Sequence, residues 1–178
     1  MRILPLAVLA SLAAISFAQG PAAPVAAPVT MAAQPAKPTK MDFSIPLKPI
    51  KQPDLSFQML RNRWSFLFYF SPTCPHCQHT FPIVKTMRDK YEKKGMAYAA
   101  IVTGYASPED IKMFDADLNI DMMAFQDDTK KLGQVYGTGS VPLMLLVAPD
   151  GTFQSWNASD STTMAAIDAA IKKGLKIK

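Results

Sequence analysis

Cys74 and Cys77 are the two cysteines of this 178-residue chain, three positions apart in Ser71-Pro72-Thr73-Cys74-Pro75-His76-Cys77. Sulfurs so close together close a tiny loop and remove little entropy from the unfolded chain. A structural staple is therefore a poor use for them. Exchange chemistry fits better: one thiolate attacks a sulfur, and the second displaces whatever the first has captured. Pro75 suits the first turn of a helix, where an N–H would have no partner, so Cys74 is placed at the helix mouth and Cys77 one turn inside. At that mouth an anion faces free N–H groups and the positive end of the helix dipole. Cys74 is thus the expected attacking sulfur and Cys77 the resolving one. His76 can hydrogen-bond to the Cys74 thiolate or, protonated, pair with it; the plainer alternative is an exposed helix residue. His79 points to another side of the turn and reads as surface.

Four potential ligands, Cys74, His76, Cys77 and His79, cannot all converge on one tetrahedral ion from a single helix, so no metal site is assigned. A chaperone for copper or another metal, built on the two thiolates, stays as an alternative use of the pair. The eleven methionines are scattered, which is the pattern of core packing. No cofactor is implied.

The elements that must hold these sulfurs follow from periodicity. Trp64–Phe70 is an apolar run bounded by Ser71-Pro72, as expected of a strand buried on both faces. The helix after Cys74 is expected to reach Lys94 and stop at Gly95, its inner face formed by Phe81, Val84, Met87, Arg88 and Tyr91. Ala97–Thr103 reads as a strand. Ser107-Pro108-Glu109-Asp110 opens a helix with Ile111, Phe114 and Leu118 inward, and Met122–Phe125 is a short strand. Asp127-Asp128 is expected to cap a helix over Thr129–Tyr136. Leu143–Ala148 and Thr152–Trp156 form a hairpin, and a last helix spans about Ser161–Gly174. Upstream, Asp42–Pro46 alternates polar and apolar and reads as an edge strand, after which Asp54–Leu60 returns the chain to the centre.

With these residues in view, the chain resembles the thioredoxin superfamily. The marks are a C-x-x-C opening a helix after a central strand, Pro82 five residues past Cys77, and Ser140-Val141-Pro142 before a late strand. The resemblance covers residues 41–178. It implies an α/β thioredoxin fold, a central mixed sheet flanked by helices, in which Val141-Pro142 is a cis bond facing the cysteines. It also implies that Val141 and Pro142, with Pro75, form an edge on which a client segment adds as a short strand. The 68 positions from Cys74 to Pro142 leave room for one extra strand-helix unit, Ser107–Phe125. That unit and the Asp42–Pro46 opening are similar to exported proteins of the TlpA/ResA type, whereas Cys-Pro-His-Cys matches DsbA-type oxidases. Many relatives carry an acid six residues before the first cysteine or three after the second; here these positions are Phe68 and Thr80. Tyr69 and Phe70 are left to shape the groove.

Residues 1–18 have the pattern of a secretory signal, with Arg2, the apolar stretch Ile3–Phe17 and Ser16-Phe17-Ala18 as the cleavage site; an uncleaved membrane anchor is the competing reading. Residues 19–40 are rich in Pro and Ala and are expected to be a disordered tether. The net charge of +5 is mild, with Lys172, Lys173, Lys176 and Lys178 gathered near a helix end, and no nucleic-acid partner follows from it. The function expected is an exported, periplasmic or envelope thiol:disulfide oxidoreductase acting on thiol- or disulfide-bearing exported proteins. A membrane redox partner would recycle it. An oxidase or isomerase direction is favoured; the alternative is a TlpA/ResA-like reductase serving cytochrome or cuproprotein assembly.

Overall fold

Ser65–Phe70 (β2) is buried at all six positions, the pattern of a strand covered on both faces. In the computed structural model, which describes residues 38–178, β2 lies inside a six-stranded mixed sheet. The other strands are Lys48–Pro49 (β1), Ala97–Thr103 (β3), Met123–Asp127 (β4), Leu143–Val147 (β5) and Phe153–Trp156 (β6). Their order is β1-β4-β3-β2-β5-β6. β2, β3 and β4 run parallel, while β5 lies antiparallel to β2 with Tyr69 opposite Leu143. The fold is the α/β thioredoxin fold. The expected signal (residues 1–18) and most of the tether (residues 19–40) lie outside the described residues; Lys40 already bridges to Thr152.

Alternation along β2 divides the core. Phe66, Phe68 and Phe70 face Pro75–Tyr91 (α1) and Ser161–Leu175 (α4), where Phe81, Val84, Ile167 and Ile171 are buried. Leu67 and Tyr69 face Lys131–Tyr136 (α3) and the N-terminal segment, where Leu132, Tyr136 and Phe57 are buried. Each such side chain removed from water contributes roughly 1.5–3 kcal/mol. Pro108–Leu118 (α2) begins with a capping box in which Ser107 and Asp110 exchange hydrogen bonds, and α2 with β4 forms the extra unit between β3 and α3.

Two expected elements differ. Asp42–Pro46 is a turn, because the Asp42 carboxylate accepts hydrogen bonds from the Ser44 N–H (2.9 Å) and hydroxyl (2.5 Å). Its alternation is real as burial, with Met41, Phe43, Ile45 and Leu47 inside, but the edge strand comes later, at β1. The helix expected at Thr129 starts at Lys131, after Lys130 in the left-handed region at φ 60°. Asp127 still caps it, accepting from Leu132 N (3.2 Å) and Gly133 N (2.8 Å); Asp128 is exposed. At the far end α1 closes at Tyr91, and a 3-10 turn, Glu92–Lys94, carries the chain to Gly95 at φ 94°.

Polar clamps tie the helices down. Arg88, buried on the inner face of α1, pairs with Asp121 and with Asp89. Asp168 on α4 accepts from Lys90 and Tyr91 on α1 and pairs with Lys172. Burial alone would raise the Asp168 carboxyl, but those three donors outweigh it and hold it at about 2. A lowered carboxylate contributes stability above its unfolded value and loses it as the pH falls through the folded value. Asp168→Asn is therefore expected to remove about 1 kcal/mol at pH 7 and to flatten the part of the acid-unfolding curve between about pH 4 and about pH 2. Denaturant titration across that range checks it.

Candidate active site

Cys74 is the N-cap residue of α1, with extended backbone at φ −83° and ψ 116°, and Pro75 occupies the first turn. The turn before it is tied to the helix it precedes. Cys74 N–H donates to Ser71 O at 3.2 Å, and Gln78 Nε2 donates to Pro72 O at 2.8 Å. Both thiols are free; Cys74 is half-buried and Cys77 fully buried. Across from them the Val141–Pro142 peptide bond is cis, and the Cys74 thiol reaches the Val141 carbonyl at 3.9 Å. Val141 is half-buried, Pro142 buried and Pro75 exposed. The helix mouth and the chain entering β5 therefore meet at one sulfur.

Cys77 is buried in the same core cluster as Phe68, Phe70 and Phe81. Phe68 stacks on Phe70 with centroids 5.1 Å apart and lies 5.9 Å from Phe81, so the position that holds an acid in many relatives is part of an aromatic cluster. Burial pushes the Cys77 thiol up to about 12, its hydrogen bond with Cys74 acts the same way, and a backbone hydrogen bond at Ser71 opposes both. Thr80 is buried too, but its hydroxyl is spent on the His76 carbonyl at 2.7 Å. His76 is exposed on the first turn, and among the described residues its ring makes no hydrogen bond. His79 is exposed as well. Among the described residues no three His, Cys, Asp or Glu side chains gather as a metal site would require.

A cavity of about 530 Å³ opens beside Val141, lined by Tyr69, Ser71, Thr103, Tyr105, Lys130 and Ser140 with neighbouring glycines. Tyr69 does shape this groove. Phe70 points the other way, into the aromatic cluster with Phe114 at 4.7 Å. The Tyr69 hydroxyl donates to the buried Asp127 carboxylate at 3.3 Å. Burial first, and the negative charge of Asp127 second, raise the Tyr69 phenol, which stays protonated. Tyr105 and Lys130 were not expected here from the sequence. The one signal for the first was an exposed aromatic in a strand-to-helix loop, and Lys130 depends on a left-handed backbone that a lysine does not announce.

Two measurements follow from this geometry. Because Cys77 holds its proton to about 12 and only the thiolate attacks, closure of a mixed disulfide on Cys74 is expected to quicken about tenfold per unit from about pH 6 to about pH 9. A quenched-flow closure rate that is flat over that window contradicts the assignment. Separately, a Cβ on Gly133 would stand 2.3 Å from the Tyr69 hydroxyl oxygen, so Gly133→Ala should cost about 1–3 kcal/mol despite better helix propensity. Tyr69→Phe in the same chain should return part of that loss, read as a non-additive double-mutant cycle.

Comparison with known proteins agrees with the fold. The model of the AhpC/TSA family matches residues 38–155. No curated protein matches the chain. Among solved structures it is similar to a proposed thiol:disulfide interchange protein DsbE from Chlorobium tepidum, at 18% identity and TM-score 0.70, over 79% of this chain and 99% of that one. A thiol-disulfide isomerase from Corynebacterium glutamicum aligns at 15% identity and TM-score 0.62, over 75% and 98%. A secreted Mycobacterium tuberculosis disulfide oxidoreductase homologous to Escherichia coli DsbE aligns at 16% identity and TM-score 0.58, over 67% and 87%.

Proposed function

The chain belongs to the AhpC/TSA family, and on that footing we propose that it is an exported thiol:disulfide oxidoreductase exchanging disulfides with client proteins through Cys74 and Cys77. The observation that carries the reading is the division of labour within one helical turn. Cys74 is half-exposed, with its sulfur 3.9 Å from the Val141 carbonyl, and Cys77 is sealed in the core three residues later. The names borne by similar folds, a disulfide oxidoreductase and a thiol-disulfide isomerase, support the same chemistry.

In the oxidising direction a client thiolate attacks Cys74 Sγ of the Cys74–Cys77 disulfide. The S–S bond breaks, Cys77 leaves as a thiolate and takes a proton, and a client–Cys74 disulfide forms. A second client thiolate then attacks the client sulfur and expels Cys74. Two electrons have passed to the pair, and a membrane redox partner withdraws them again. Val141 and Pro142, with Pro75 at the rim, hold the client strand, and His76 tunes the Cys74 thiolate. The signal-like pattern of residues 1–18 supports export to the periplasm or envelope. Reduction of clients is the second reading, favoured by the α2–β4 unit in which the sequence is similar to TlpA/ResA-type proteins.

Equilibration of the pair against glutathione buffers tests the direction. A potential more oxidising than about −200 mV is expected, and one near about −270 mV would overturn the oxidising direction. For the chemistry itself, Cys77→Ser should accumulate a mixed disulfide with a reporter client, and Cys74→Ser should lose turnover at least about a hundredfold. Turnover surviving in Cys74→Ser removes the proposed nucleophile.

A further inference from the structure

The cavity beside Val141 lies where the parallel strands β2, β3 and β4 end, the place where open α/β sheets bind ligands. Its polar groups are unevenly matched. Lys130 carries the one formal charge on the lining, and the rest are hydroxyls, an amide and backbone. Among the described residues no carboxylate pairs with Lys130 within 4.0 Å. The nearby Asp127 is fully buried behind Tyr69, its oxygens engaged by the Tyr69 hydroxyl and two N–H groups, and Asp128 does not line the space. The ammonium also has an aromatic partner. Its nitrogen stands 4.2 Å over the centroid of Tyr105, an exposed ring. Its stem crosses Gly104, where a Cβ would approach Lys130 Cγ to 2.8 Å. A cation resting on an aromatic ring beside hydroxyl donors, with no carboxylate partner, suits an anion.

We infer that this cavity is a specificity subsite for an acidic client segment, in which Lys130 on Tyr105 receives a Glu or Asp side chain near the client's reacting cysteine. The inference rests on the thiol-exchange reading above and names its substrate class. An extended client segment passing Val141 with its cysteine at Cys74 directs every second side chain to the same face, about 7 Å along. We place the acidic residue two positions from the cysteine, on one side or the other.

The test uses oxidised protein and pairs of single-cysteine peptides that differ only in Glu or Gln two residues from the cysteine, on either side. The Glu:Gln ratio of second-order rates is measured within each protein, so that a change in overall rate between variants cancels. The native protein is expected to prefer the Glu peptide about fivefold at low salt, with the preference fading at about 0.5 M salt. Lys130→Met should bring the ratio down, Lys130→Arg should keep it and Lys130→Glu should invert it. Equal rates for both peptides in the native protein, or a preference that survives in Lys130→Met, overturns the subsite. Loss of the preference at a low concentration of free glutamate, where the same concentration of sodium chloride leaves it intact, would assign the site to small carboxylates and overturn the peptide subsite. Failure of the native protein to exchange with dithiothreitol would instead sink the thiol-exchange reading itself.

Discussion

The pairing of β2 with a partner on each side is the constraint on which the site depends. Its ladder with β5 ends at Tyr69 opposite Leu143, so the chain leaving toward Cys74 and the chain arriving through Val141-Pro142 emerge side by side. A slip of one residue would exchange the two faces of β2, sending Tyr69 into the space of α1 and the phenylalanines toward α3. Burial of all six residues makes that exchange expensive, since a phenolic hydroxyl would lose the Asp127 acceptor and enter an apolar cluster. Sheet register and sulfur placement are thus the same fact.

From that placement comes the unequal treatment of the two sulfurs. Cys74 caps α1 and Cys77 lies in its first turn, yet three residues along the backbone carry Cys77 into the core cluster that holds Phe68, Phe70 and Phe81 and leave Cys74 against a carbonyl and solvent. In an aromatic enclosure a thiolate has no water and few donors, so the proton stays on. Phe68, at the position where the resemblance leads one to look for an acid, belongs to the aromatic cluster and offers no group to relay it. Thr80 does not substitute, because its hydroxyl is committed to the helix backbone.

Much of this was legible in the sequence because local chemistry and global fold agreed. The apolar run of β2, the Cys-Pro start of α1, the capping box of α2 and the Pro-Asp-Gly turn between β5 and β6 each signal their own structure. Ala97–Thr103 is a strand over its whole expected length. What failed was local competition and long-range placement. Asp42 captured Ser44 and bent a segment whose alternation suited a strand. Asp127, expected to begin a helix, is the last residue of β4 and caps α3 from there, accepting from N–H groups five and six residues on. The groove residues Tyr105 and Lys130 lie on loops after two different strands, and no spacing rule relates such loops.

Val141 also packs against both halves of the core, the α1–α4 side that encloses Cys77 and the α3 side that holds Tyr69 and Asp127. The cores are otherwise separated by the sheet, whose strands offer no side chain to both faces at once. At the end of β2 that separation lapses, because β5 begins only after Pro142 and Val141 is free of the pleat. A segment laid on Val141 therefore touches the thiol side and the Lys130 side together. On the proposed reading, chemistry and recognition would then be set separately, the first by residues around α1 and the second by residues around α3, with Val141 common to both.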